Sequence, residues 1–285
     1  LSTIHADSRN RRGPRHTGAS MISSSVNGIR RALVAALLAL AGAFLAWSGA
    51  LASVPPARSG APAPATGEAV IRAMHDKYAK SWYRTLSFTQ KTTRRTPADT
   101  MVNETWRERA MVPGYLRIDI ERATGNLSVA YAAESLFVWR GDSVLTRAAT
   151  RNILMVIGFD VYRQPVETTL AVLAGEHFPM TPLREDTWEG RPVYVIGAPA
   201  GDLRSSQLWI DKERLLFMRA IQPDERDTTK TLDFRFDNYV KVPSGWLSET
   251  VELYRDGKLF QREEYSDVRT NIPIDPKIYV PPAGH

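Results

Sequence analysis

The chain has 285 residues, 37 basic and 31 acidic side chains, and no cysteine, which excludes disulfide staples and leaves stability to an apolar core. Six of the arginines and one acid fall in residues 1–52, so the remainder carries 31 basic and 30 acidic groups. That near-neutral balance gives no argument for nucleic acid or an anionic surface as partner.

In chain order, the first feature is a targeting signal. Met21 precedes Arg30-Arg31, an apolar run from Ala32 to Trp47, and the small-residue stretch Ser48-Gly49-Ala50-Leu51-Ala52. A basic n-region, an apolar h-region and an Ala-x-Ala site predict export, with cleavage after Ala52. As a helix the run spans about 24 Å, short of a bilayer core of roughly 30 Å. Counting through Ala52 lengthens it enough to span, so an uncleaved anchor is the alternative. Residues 1–20 read as an upstream extension, and 53–67 as a Pro/Ala-rich linker. A single domain is expected over 68–285.

Val70, Met74, Tyr78 and Trp82 recur every four residues, predicting one amphipathic helix of about four turns that ends near Trp82. Strand-like runs follow at Leu86–Gln90, Glu104–Arg109, Tyr115–Glu121, Leu127–Ala132 and Leu136–Trp139. Between Tyr115 and Glu121, Leu116, Ile118 and Ile120 alternate with Arg117, Asp119 and Glu121, the period of a half-buried strand. Residues 151–174 break the series. They predict a short apolar helix around Ile153–Ile157 and a second starting at Pro165, with Glu167 in its first turn and Gly175 as its stop. Six further strands are expected between Pro192 and Val268, joined by turns such as Glu189-Gly190 and Asp256-Gly257. Pro223–Asp227 is expected as a charged loop.

The expected class is therefore α+β, mainly β: one strongly curved antiparallel sheet with about three helices. Some strands are polar on one face, whereas Leu136–Trp139 and Leu208-Trp209-Ile210 are apolar on both. A long antiparallel meander must twist and curl, so its concave side needs filling. Helices and side chains fill it completely, or an incompletely filled apolar concavity takes a long, greasy ligand. Ile153-Leu154-Met155-Val156-Ile157 poses the same choice, because five consecutive apolar residues on a short helix cannot share one side.

The ordered series Leu86-Ser87-Phe88-Thr89-Gln90, Pro113-Gly114-Tyr115-Leu116-Arg117, Glu134-Ser135-Leu136-Phe137-Val138-Trp139 and Leu208-Trp209-Ile210-Asp211, closed by Tyr279-Val280-Pro281-Pro282, resembles the LolA/LolB family of lipoprotein carriers. The family's Asp-Gly before the Leu-x-x-Trp strand is Glu134-Ser135 here. The resemblance spans roughly 68–282. It implies an unclosed barrel with helices lidding the concave face, and a cavity that shields acyl chains of a lipoprotein or lipid in the periplasm. It also implies a membrane-bound partner and a barrel arginine bonding the lid, for which Arg107, Arg109 and Arg117 are candidates. The polypeptide after Asp211, including the charged loop, also resembles RseB-like relatives, so an envelope sensor that binds a membrane protein is the second expectation.

The cavity candidates are Phe88, Trp106, Leu116, Ile118, Phe137, Trp139, Ile153, Met155, Leu170, Leu173, Leu208 and Ile210. Trp106 and Trp139 are expected nearest the cavity. No H-E-x-x-H, G-x-S-x-G, Walker or G-x-G-x-x-G pattern occurs. His75 reads as a solvated side chain, and Glu185-Asp186 and Glu263-Glu264 as solvated rim. The expectation is a monomeric non-enzyme with no cofactor, no metal and no nucleic-acid partner.

Overall fold

A computed structural model describes residues 63–96, 98–122 and 125–282. The expected extension, signal peptide and most of the linker lie outside the described residues. Helix α1 (Gly67–Tyr78) starts where the Thr66 side chain accepts from the Ala69 N–H at 3.2 Å, satisfying one of the free donors at a helix start. Val70, Ile71, Met74 and Tyr78 form its buried stripe. The helix ends four residues before the expected Trp82, which is buried just beyond it with its ring 5.1 Å from Tyr78 and 3.9 Å from Tyr162.

Thirteen strands then form one sheet. They are β1 (Thr85–Arg95), β2 (Met101–Met111), β3 (Tyr115–Glu121), β4 (Leu127–Ala132), β5 (Ser135–Arg140) and β6 (Ser143–Ala149), then β7 (Leu183–Trp188), β8 (Arg191–Ile196), β9 (Gln207–Asp211), β10 (Phe217–Asp224), β11 (Asp227–Val242), β12 (Gly245–Arg255) and β13 (Lys258–Thr270). Helices α2 (Ile153–Gly158) and α3 (Val166–Gly175) lie between β6 and β7, with a single 3-10 turn at Asp160–Tyr162 between them. The strand order is β6-β5-β4-β3-β2-β1-β13-β12-β11-β10-β9-β8-β7, and every ladder is antiparallel. The chain thus walks outward to one edge, crosses through the helices, and walks back from the other edge to close beside β1. Strands β6 and β7 remain unpaired edges, so the curled sheet is an unclosed barrel.

Turn chemistry sets the hairpins. Glu189-Gly190 and Asp256-Gly257 both hold φ values of about 50° and 75°, the pair that a two-residue type I′ turn needs. Between β9 and β10, Asp211 accepts from the N–H groups of Glu213 (2.9 Å) and Arg214 (2.7 Å). Residues 223–227, expected as a loop, carry the two strands of β10–β11 to their tip, and Asp224 is buried.

The concave face holds the main core. Gly67 packs so closely on β8 that a Cβ there would sit 2.5 Å from Ile196. Tyr78 donates to the Arg214 carbonyl at 2.5 Å, tying α1 to the β9–β10 turn. The outer face of β9 answers why both its sides are apolar. Leu208 and Ile210 point into the core, while Trp209 points outward, 5.7 Å from Trp188 and 5.1 Å from the Arg219 guanidinium. Arg219 in turn lies 4.1 Å from Trp188 and forms two 2.8 Å hydrogen bonds to Asp233. A β-bulge between Phe217 and Arg219 shifts the alternation, which is why the start of β10 is apolar on successive residues.

Candidate functional site

Helix α1 and the lid helices fill the β8–β10 end of the concave face, and a cavity of about 290 Å³ remains between α2 and the strands nearer the seam. Its walls come from β1 to β5 on one side and β10 to β13 on the other; Phe88, Leu116, Ile120, Phe234, Val251 and Leu253 supply apolar surface. The lid's underside is Ile153, Leu154, Met155 and Phe159.

Local sequence positions the lid. Asn152 caps α2, its side-chain oxygen accepting from the N–H groups of Leu154 (3.0 Å) and Met155 (3.3 Å). Gly158 meets the sheet, where a Cβ would stand 2.8 Å from the Phe236 ring. Val156 and Ile157 are buried in protein, whereas Ile153 and Leu154 are only half-buried at the cavity wall. The five-residue apolar run therefore divides between core and cavity. Several contacts tether the lid, among them Arg72 of α1 with Glu167 of α3 at 3.2 Å. Arg151 pairs with Glu134, and Asp160 accepts from the Gly114 N–H at 3.2 Å. Arg163 donates to the carbonyls of Ala79 (3.2 Å) and Trp82 (3.0 Å), and the Phe217 N–H donates to the Tyr162 hydroxyl at 2.9 Å.

Of the expected cavity residues, Phe88, Trp106, Leu116, Ile118, Ile153 and Met155 line the cavity, and Phe137, Trp139, Leu170, Leu173, Leu208 and Ile210 do not. Leu208, Ile210 and Leu173 are buried in the main core, and Leu170 packs at its border. Phe137 and Trp139 correct the sequence reading by strand parity. Their neighbours Leu136 and Val138 face inward with Ile120 and Val129, so Phe137 and Trp139 point outward, beneath Arg147 (5.4 Å) and Arg117 (4.9 Å) respectively.

The same parity moves the candidate latches. On β2, Trp106 and Glu108 face the cavity, so Arg107 and Arg109 face away and pair with Glu121 (2.8 Å) and Asp119 (2.5 Å). Arg117 also bonds Asp119, at 2.8 Å, and donates to the Ile278 carbonyl at 3.0 Å. It clamps the C-terminal segment onto the convex face. None of the three touches the lid; Arg151, Arg163 and Asp160 hold it instead.

Sequence reasoning missed a polar stripe on the concave face. Glu108 on β2 and Gln261, Glu263 and Tyr265 on β13 line the cavity floor, and Gln90 and Thr92 on β1 share that face beside it. Glu263, expected as solvated rim, accepts from the Tyr265 hydroxyl at 2.7 Å and from the Gln261 amide. Its neighbour Glu264 faces out and pairs with Lys91 at 3.7 Å. Burial, reinforced by the nearby Glu263, pushes the Glu108 carboxyl well above the usual range. Burial also raises Glu263 against the pull of its hydrogen-bond donors. The inward Trp106 expected from the sequence already implies an inward Glu108, two residues on. At the far end Glu104 accepts from Trp106 (3.0 Å) and pairs with Arg94 (2.7 Å) and Arg122 (3.1 Å). Despite the opposing effect of burial, those partners hold its carboxyl below the ordinary range.

No family model matches the sequence, and no curated protein matches it either. Solved structures do. A DUF1329 family protein from Desulfovibrio piger superposes at a TM-score of 0.52 with 14% identity, covering 75% of this chain and 95% of that one. A LolA superfamily protein from Nitrosomonas europaea gives 0.50 and 13%, over 74% and 97%. A putative outer membrane lipoprotein-sorting protein domain from Vibrio parahaemolyticus gives 0.51 and 11%, over 75% and 95%. At these identities the likeness is one of fold.

Proposed function

We propose, from the LolA-like fold of this chain as premise, that it is an exported carrier that shields acyl chains of a lipoprotein or lipid during passage through the periplasm. The observation that carries this reading is the cavity itself: apolar walls from both halves of the sheet, capped by a lid whose half-buried Ile153 and Leu154 line it. Each methylene withdrawn from water contributes about 0.8 kcal/mol, so such walls retain a chain without covalent chemistry. The lid's tethers are hydrogen bonds and ion pairs at its margins, which suits a cover that must open for loading and release. The basic and apolar segment before Ala52 supports export through a signal peptide, and the cargo's acceptor on this reading is a membrane-bound partner.

Native mass spectrometry of the chain from Ser53 onward, purified from a bacterial periplasm, tests the reading. The expected result is a co-purifying acylated species. Leu154→Asp, which places a carboxylate at the cavity wall, should reduce its occupancy at least tenfold while circular dichroism stays unchanged. Met155 is the poorer target, because at 4% exposure it also belongs to the packed core. A protein that emerges empty and takes up no added acyl chain overturns the proposal.

A further inference from the structure

The stripe on the cavity floor gives the ligand a polar specification, an inference that rests on the cavity being a ligand site. Glu108 is 7% exposed, and among the described residues no side chain or backbone group is hydrogen-bonded to its carboxyl. Gln90 and Gln261 are 1% and 2% exposed, and the side-chain oxygen of each has no partner. The Gln261 amide orientation is fixed by its nitrogen, which donates to Glu263, so reversing it would turn oxygen on a carboxylate. Gln90 lies beside the cavity without lining it, its amide 2.8 Å from the Thr92 hydroxyl, a group that donates as readily as it accepts. The floor therefore offers a carboxyl and the Gln261 amide oxygen with no donor assigned to them.

Charge points the same way. The ionisable groups lining the cavity include Glu108, Glu176, Asp224, Glu225 and Glu263, against Arg151 and Arg226. Glu225 and Arg226 share the β10–β11 turn, Asp224 is paired with Arg255 at 2.7 Å and Arg151 with Glu134, so the ionisable acids on the floor itself are Glu108 and Glu263, with no cation beside them in the cavity lining. Tyr131 and Tyr265 are the remaining titratable groups there, and Tyr265 already donates to Glu263. A buried carboxyl without a partner is unfavourable whether protonated or ionised, and a cationic donor, which favours the ionised form and bonds it, is the partner that relieves it best. An anionic head would add repulsion to desolvation.

We propose that the cavity selects an amphiphile whose inserted polar end is a hydrogen-bond-donating cation, a primary ammonium, seated against Glu108 and Gln261, and that it discriminates against carboxylate or phosphate ends. The test is competition binding at pH 7.5 with three probes of equal chain length: dodecylamine, dodecanol and laurate. Dodecylamine should bind at least tenfold more tightly than laurate, with dodecanol between them. Glu108→Leu should bring the three within about threefold of one another, and Glu263→Leu should narrow the gap as well. Laurate binding as tightly as dodecylamine, or an amine preference that survives both substitutions, overturns this assignment while leaving an apolar carrier in place. Failure of all three probes to bind the parent and both variants overturns the assignment together with the carrier reading.

Discussion

The carboxyl of Asp160 is 1% exposed, and burial lifts its pKa to about 7 against the opposing effects of the Gly114 N–H and Arg151. In the unfolded chain the same group ionises near the ordinary value of about 4. Between those values the folded state holds the extra proton, so this residue makes stability fall as pH rises, by on the order of 1 kcal/mol per unit. Above about pH 7 the loss is complete and stays constant. Asp160→Asn keeps an acceptor for Gly114 and removes the titration. Its melting temperature relative to the parent should therefore rise between pH 4 and pH 7; parallel curves would show that the carboxyl is already ionised in the fold. Nothing in the sequence around residue 160 exposes this chemistry, because its partner lies 46 residues away. Glu108 differs, since its inward direction follows from Trp106 and the period of a strand.

Among the elements, α1 and most inner strands were legible because each carries an apolar period, and α2 because its unbroken apolar run is followed by a second helix start at Pro165. Strands β6 and β7 were not. Both are sheet edges, and their residues are mostly exposed or half-buried, so no apolar alternation marks them. Ladder hydrogen bonds to a single neighbour define them instead. Two of the misplaced cavity residues, Phe137 and Trp139, have a related cause: β5 is apolar on both faces, and which face is inward depends on the register with β4. On β10 and β11 the outward face is held by a charged stack. Arg219→Ala would leave Asp233 with Arg235 at 2.7 Å and would leave Trp188 and Trp209 without the guanidinium between them. The expected loss is about 3 kcal/mol, the low end for breaking a buried pair because one partner remains. Urea denaturation reads it directly; a change under about 0.5 kcal/mol, the scale of surface substitutions, would make the stack incidental.

At the scale of the whole molecule, a curved sheet with a partly filled concave side was legible from strand number and two-faced apolarity, but the size of the unfilled part was not. It depends on where α1 lies, and none of α1's residues lines the cavity. The seam between β1 and β13 has a temporal meaning. It joins Leu86 to Thr270, so the centre of the sheet is made from strands formed early and last in synthesis. A ribosome adding about 5–20 residues per second needs on the order of ten seconds or more to pass from one to the other. Throughout that interval β1 carries a bare edge. A chain truncated at Asp256 keeps that edge permanently and should appear in the void volume on size-exclusion chromatography, where the intact chain elutes as a compact species. Soluble, compact truncated protein would show that the two halves of the sheet fold apart. Until its last strand is made, the half-built sheet therefore presents an edge able to pair with a neighbouring chain, so the order of synthesis itself exposes this fold to misassembly.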